Sequence, residues 1–297
     1  ADSCFNRSWW SQGKYFSLMN NITDSVRTTI GITIGGGGPN PTNPHSFYGN
    51  FNGNNHTITL AIRDTTTANS HQSALFGGIY DTLQNLVIDG YVIYVVNDAF
   101  GFSTENAGTI INCTNNAYIY SPLRAAGIVG RDPYTANTQI INCKNNGTIE
   151  GLISAHGITH SAFYGIVSNC TNTGTIISSG TYGTATGIAC IMNNSTLVNC
   201  VNSGFIKGSY GSFGICAGVA TAGGSQHITI AKCINSGVLG ADGCNIGASI
   251  VGSISGNVTI TDCFYDIQMC KYKAVNNQDH SGVTGLPTHL LMEELAK

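Results

Sequence analysis

Charge is what this sequence has least of. Lys and Arg number 12 and Asp and Glu 15 among 297 residues, a 9% share with a net charge of −3, where soluble domains carry about a quarter. An ordinary helical protein is thereby excluded, because its outer faces need Lys and Glu. Twelve scattered cations do not make the basic stripe of a nucleic-acid binder. Disorder needs high charge and few Val, Ile or aromatics, whereas 42% of this chain is hydrophobic. No apolar run approaches the roughly 18 residues of a membrane span, so no membrane-spanning partner role is expected. No Cys-x-x-Cys pair or Cys/His cluster has zinc-ligand spacing, and neither a metal nor a cofactor is expected.

What remains is plentiful. The chain holds 38 Gly and 31 Asn but only 6 Pro, with many Thr and Ser. That composition predicts an all-β extracellular protein solvated by amides and hydroxyls. Eleven cysteines suit an oxidising compartment, and their odd number leaves at least one unpaired or intermolecular. The opening Ala-Asp-Ser-Cys reads as a mature end left by leader cleavage. Asn-x-Ser/Thr sequons begin at Asn6, Asn21, Asn55, Asn112, Asn146, Asn169, Asn193, Asn194 and Asn257, the expected N-glycan sites in a eukaryotic source. Chance alone gives several in so Asn-rich a chain.

Length would allow about two domains, but an internal repeat overrules that prior. Five segments align on one cysteine: NCTNNAYI from Asn112, NCKNNGTI from Asn142, NCTNTGTI from Asn169, NCVNSGFI from Asn199 and KCINSGVL from Lys232. A degenerate sixth is DCFYDIQM from Asp262, and Leu86 takes the cysteine place further upstream. Successive cysteines Cys113, Cys143, Cys170, Cys200, Cys233 and Cys263 give a period near 30. Three residues before each stands an apolar residue, from Leu83 and Ile110 to Ile260. Two residues after stand Asn115, Asn145, Asn172, Asn202 and Asn235; four after, Gly147, Gly174, Gly204 and Gly237; six after, Ile119, Ile149, Ile176, Ile206 and Leu239. About fourteen after, Gly-Ile opens a third apolar run, at Gly127, Gly157 and Gly214, with Asn245-Ile246-Gly247 in the last copy, while one copy slips to Gly187-Ile188.

Three short β-type runs per period are too short for hairpins, and helical periodicity is absent. Stacking successive periods about 4.8 Å apart buries every run against its counterpart. The expected fold is a single right-handed parallel β-helix of about 30 residues per coil with capped ends. Ile and Val fill the inside, Cys packs at an inner corner, and Asn amides bond along the stack at the bend. Gly two residues later supplies either a positive φ or tight space. Same-direction ladder side chains disfavour bridges, so disulfides are expected among Cys4, Cys190, Cys216, Cys244 and Cys270 instead. Residues 1–45 are expected to form an N-terminal cap and first strands, 46–270 the repeats, and 271–297 a closing segment. Trp9, Trp10, Tyr15, Phe16 and Leu18 read as a plug outside the repeat frame, and LPTHLLMEELAK as a short helix with Thr288 as N-cap.

FYGNFNGNNHTITL (Phe47–Leu60), ALFGGI (Ala74–Ile79) and QNLVIDG (Gln84–Gly90) resemble the GLUG-type repeats of bacterial and protist surface proteins. FYDIQ at Phe264–Gln268 and GVTGLPTHLLM at Gly282–Met292 resemble the end of such arrays. The likeness runs over about residues 45–292 and implies a β-solenoid at the cell surface, with no reaction attached. The cysteine ladder departs from the Cys-poor bacterial members and is more similar to repetitive protist surface proteins.

No catalytic constellation is expected. Polysaccharide cleavage on a β-helix needs clustered carboxylates or a cationic base on neighbouring coils, and Asp98, Glu105, Asp132, Glu150 and Asp242 occupy different offsets. Asp262 and Asp266 lie together, the second reading as a turn residue. His156 and His160 flank Gly157-Ile158 and read as an exposed loop pair, and Gly35–Gly38 as a flexible turn. The expected function is a structural or adhesive surface solenoid whose partners are copies of itself, glycans or a host surface. A polysaccharide-degrading enzyme is the first rival. The second is an ice-binding face, from the partial Thr series Thr109, Gln139, Ile166, Thr196, Thr229, Thr259.

Overall fold

A computed structural model describes residues 11–31, 46–65, 72–132, 138–221, 227–240 and 246–295. The chain is a parallel β-solenoid of about seven coils with roughly 30 residues per coil. Four sheets run along it, of nine, fourteen, six and seven strands. One coil consists of Thr109–Ile111, Thr114–Asn115, Tyr118–Ser121, Arg124–Ala126 and Val129–Arg131. That is five short strands where the sequence suggested three runs. Four of them are only two or three residues long, too brief for each to leave a separate apolar signature.

The repeat offsets become columns. Ile110 pairs with Leu83 on one side and Ile140 on the other, followed by Val167, Leu197, Ile230 and Ile260. The column also reaches upstream, through Phe51 to Phe16. Phe16 therefore lies inside the repeat frame, which corrects its reading as an off-frame plug. It packs at 5.4 Å from Phe47, itself 5.3 Å from Phe76. Aromatic rings fill the first coils where Ile and Val fill the later ones. Tyr15, by contrast, is exposed, and Trp9 and Trp10 lie outside the described residues. Each aliphatic side chain removed from water in these columns contributes about 1.5–3 kcal/mol.

Leu86, Cys113, Cys143, Cys170, Cys200, Cys233 and Cys263 are all buried. Each thiol lies near a carbonyl of the preceding coil: Cys143 Sγ–Ile110 O is 3.6 Å, Cys170 Sγ–Ile140 O 3.5 Å and Cys200 Sγ–Val167 O 3.7 Å. Burial pushes the Cys143, Cys170 and Cys200 thiols well above their ordinary value.

The inner corner is built from amides. Asn115 Nδ2 donates to Asn145 Oδ1, Asn145 to Asn172, Asn172 to Asn202 and Asn202 to Asn235, each at 2.7 Å. The last donor, Asn235 Nδ2, meets Cys270 Sγ at 2.9 Å. Asn115 Oδ1 also accepts the Ala117 N–H at 3.0 Å, holding the bend. All five asparagines are fully buried. Two glycine columns enclose them: a Cβ on Gly174 would stand 2.0 Å from Gly147 O and 2.7 Å from Asn145 Nδ2, and one on Gly157 2.8 Å from the Asn172 side chain. These glycines supply space, not a positive φ. The left-handed residue is the one before each cysteine, namely Asn85, Asn112, Asn142, Asn169, Asn199, Lys232 and Asp262, with φ between 51° and 55°. Asn and Asp tolerate that region best. Several of these asparagines form a second, outer column, with Asn112 Nδ2 donating to Asn85 Oδ1 at 2.9 Å and Asn142 Nδ2 to Asn112 Oδ1 at 2.7 Å.

Two local readings are corrected. In the fifth copy the buried counterpart of Ile215 is Ile250, since Gly214 N donates to Ala248 O and Cys216 N to Ile250 O. Ile246 pairs instead with Gly211 and is exposed. At the end of the chain the helix Thr288–Leu295 has Pro287 as its N-cap, because Pro287 O accepts the first helical N–H groups. Thr288 N is satisfied by Gln268 Oε1 at 2.9 Å. Pro at that position needs no N–H partner, and a distant side chain does what the Thr hydroxyl was expected to do.

Asn172→Ala should destabilise the chain far more than Cys170→Ala. The first strands one buried N–H of the Asn145 amide, about 1–3 kcal/mol, and takes from Asn202 Oδ1 its 2.7 Å bond, leaving it only the Gly204 N–H at 3.3 Å. The second loses only the apolar contacts of one sulfur, about 1–2 kcal/mol. Chemical denaturation midpoints of the two variants check the order, and non-reducing peptide mapping should find no Cys143–Cys170 or Cys170–Cys200 bridge.

Candidate functional site

Two strands of each coil, such as Arg124–Ala126 and Val129–Arg131, meet at the glycine corner with their inner side chains in the core. Ala155 and Ile158 face inward and are fully buried in it. One residue along, each strand presents its outer face to a shared bend. On the six-stranded sheet the outer column reads Phe100, Ala126, His156, Thr186, Phe213, Ala248. On the seven-stranded sheet Thr159 pairs with Ala189 and Ser161 with Ile191, which sets His160 opposite Cys190. Gly130 precedes His160 in that column and Ala217 follows Cys190, by the pairings that bracket them.

Aromatic rings fill the bend elsewhere. The Phe100 ring occupies the space over Gly130, where a Cβ would come within 2.4 Å of it, and Phe213 does the same over Gly252 at 2.3 Å. Between those two rings the filling is polar: His156, His160, Thr186 and Cys190. One ligand-type atom from each of His156, His160 and Cys190 lies within 4.8 Å of the others. The two imidazoles are 5.3 Å apart, tilted by 53°. His156 is fully buried and neither ring nitrogen has a hydrogen-bond partner; the Thr186 hydroxyl is buried likewise. Burial drives His156 well below its ordinary pKa and His160 down to about 4, with the Arg124 charge adding to both. Burial pushes the Cys190 thiol up to about 12, Arg124 pulling the other way. The site thus presents two neutral imidazoles and a thiol.

This overturns the reading of His156 and His160 as an exposed loop pair. They sit on the strands Ser154–His156 and Thr159–Phe163. The spacing i, i+4 converges here because a corner, not a helical turn, separates them. Nothing in the repeat alignment marks Cys190, which stands one residue beyond the core column of Cys216. That single-residue offset sends Cys190 outward and Cys216 inward. Cys270 ends the amide column. Among the described residues these cysteines are free thiols, and Cys4 and Cys244 lie outside them.

The carboxylates are dispersed among partners. Asp98 pairs with Arg124 at 3.3 Å, and Glu105 accepts from Arg131 Nε at 3.0 Å, each one coil apart. Glu150 accepts from the Tyr118 hydroxyl at 2.7 Å. Asp266 Oδ1 accepts from Gln268 N at 2.8 Å and Met269 N at 3.2 Å, holding the turn after FYD. Asp242 and Gly35–Gly38 lie outside the described residues. The Thr series stacks in register, with Gln139 and Ile166 interrupting it between Thr109 and Thr196. Asn21, Asn55, Asn112, Asn146, Asn169 and Asn257 are exposed, Asn193 and Asn194 are partly covered, and Asn6 is outside the described residues. No described helix is long and apolar enough to cross a membrane.

No family model matches the chain. A stretch of 125 residues, 40% of this chain, is 34% identical to halomucin of Haloquadratum walsbyi; the match spans about 1% of that protein's length. A crystal structure from Bacteroides ovatus described as a "putative immunoglobulin A1 protease" aligns over 94% of this chain and 79% of its own, with a TM-score of 0.49 and 17% identity.

Asp132 gives the solenoid a pH dependence. Fully buried, it is raised by desolvation to about 8, although the Thr138 hydroxyl at 2.9 Å on Oδ2 and the Asn106 side chain both pull it down. In the unfolded chain it titrates near 4. Between those values the folded state holds a proton that the unfolded state has released, so this group makes stability fall as pH rises from about 4 through about 8. Asp132→Asn should flatten that part of the profile, read from denaturation midpoints at several pH values.

Proposed function

We propose that the chain is extracellular surface material, a structural or adhesive β-solenoid of the GLUG-like kind that carries N-glycans and associates with its own copies. The observation that carries this reading is the unbroken hydrogen-bonded Asn column, running through five coils to Cys270. It makes a stiff rod whose coils each depend on their neighbours. The exterior supports it: few charges, exposed amides and hydroxyls, and six exposed sequons among the described residues. Low charge leaves little repulsion between molecules. The likeness of one stretch to halomucin, which bears a mucin's name, also favours a surface role. Against the enzyme rival stand the carboxylates, which are engaged separately with arginines, a tyrosine and a turn, Asp98, Glu105 and Asp266 being buried.

Self-association has a candidate edge. The strand Tyr15–Ser17 is the first of the nine-stranded sheet and pairs on one side only among the described residues. The end of a parallel stack is where a further chain can add a strand. Light scattering should show oligomers that grow with protein concentration. Tyr15→Lys with Met19→Lys, two exposed positions, should return the chain to monomers without moving its melting temperature. A strictly monomeric native chain at every concentration overturns the assembly reading. Robust turnover of acidic polysaccharides, abolished by one carboxylate substitution, would establish the enzyme instead.

Glycans are tested separately. Protein from a eukaryotic source should lose mass on glycosidase treatment, with occupancy at exposed sequons such as Asn146 and Asn257 and little at the partly covered Asn193 and Asn194. An unchanged intact mass removes the glycoprotein claim.

A further inference from the structure

We propose that His156, His160 and Cys190 form a binding site for a borderline-soft divalent metal ion, zinc in the first place. Their donor atoms already lie within 4.8 Å of one another. Tetrahedral zinc with Zn–N near 2.0–2.1 Å and Zn–S near 2.3 Å needs donor separations of about 3.3–3.6 Å. Rotation of the side chains by about 1 Å at the donor atoms closes that difference. Among the described residues no other group of three His, Cys, Asp or Glu converges in this way.

The independent observation is His156 itself. A fully buried imidazole ordinarily has a partner for at least one nitrogen, and here both lack one inside a polar pocket capped by two phenylalanines. A satisfied core histidine would show a carbonyl or carboxylate at hydrogen-bond distance. The adjacent groups are another imidazole, a thiol and the unpartnered Thr186 hydroxyl, which is the company of a metal ligand.

Charge around the pocket selects the form of the complex. The facing charged groups are Arg124, paired with Asp98, and Arg131, paired with Glu105. No carboxylate belongs to the converging group, so the one protein donor that can offset part of the dication's charge is Cys190 bound as thiolate, which leaves the complex with a single positive charge. The step is therefore one metal ion plus two neutral imidazoles plus the Cys190 thiol, giving the complex and one proton released to solvent. A site of two His and one Cys leaves a fourth position open, and the Thr186 hydroxyl, next to His156 in its column, is placed to hold a water there. Soft and borderline donors disfavour Mg²⁺ and Ca²⁺, which require oxygen. The inference does not depend on the surface role proposed above.

The test uses the untagged full chain, stripped with a chelator and titrated with Zn²⁺ alone and then Co²⁺ alone. One equivalent of zinc per chain should bind, and Co²⁺ should give the intense visible bands of a tetrahedral ion with a sulfur charge-transfer band in the near ultraviolet. Cys190→Ser should remove the sulfur band, and His156→Asn or His160→Asn should weaken zinc binding on the order of 100-fold. Circular dichroism checks that each variant keeps its β content. A second readout needs no variant: in the native chain zinc should protect Cys190 from alkylation, scored by peptide mapping. Failure of the native chain to bind either metal overturns the proposal. So does binding that all three substitutions leave unchanged, or Cys190 labelling that zinc does not slow.

Discussion

The column of buried amides is the constraint on which the rest of the solenoid depends. A primary amide offers donor and acceptor in one plane, so a stack with one amide per coil satisfies itself by translation. The stack exists only if every coil returns an Asn to the same offset. It also needs walls without side chains. The two glycine columns provide them, the Gly147 column on one side and the Gly127 column on the other. Asn at two residues after the cysteine, Gly at four and Gly near fourteen are thus one device, read three times along the chain. Upstream, Ile58 and Ile88 occupy the corner position in place of Asn, and there the chain runs through in eight-residue strands, Thr57–Asp64 and Val87–Tyr94. Without the amide the corner is not made.

Stacking also explains the sparing use of charge. In a coil that repeats every 4.8 Å, identical charges at one offset would stand directly above each other and repel. The chain avoids charged columns and places its few carboxylates one coil from an arginine, as with Asp98 and Arg124 or Glu105 and Arg131. Solvation then falls to Asn, Thr and Ser, and the outer Asn column adds hydrogen bonds where it meets water. A rod of this kind has two places for chemistry: exposed faces, and bends between sheets where outward side chains crowd together. His156, His160 and Cys190 lie in such a bend.

The period, its apolar columns and the stacking of coils were legible in the sequence because translation copies each offset into the same environment. Every coil is a further instance of the same rule. What a single offset left open was which of two physical causes operated. Glycine at the corner was read as either conformation or space; the backbone shows space, and the left-handed conformation falls to the residue before the cysteine. Phe16 escaped the frame because an aromatic in the first coil does not look like the isoleucines of later ones.

Tertiary structure alone decided the features that occur once. Cys190 belongs to no repeated offset, and its direction depends on a one-residue displacement relative to Cys216. The proximity of His156 and His160 required the corner between their strands, and that of Cys190 required the next coil. Pro287 and Gln268 share the work of capping the last helix across twenty residues. The sequence by itself determined the repeating interior, since periodic residues in equivalent environments reveal the environment. The singular contacts waited on the fold, because they join positions that no period relates and that only the stacking of neighbouring coils brings within reach.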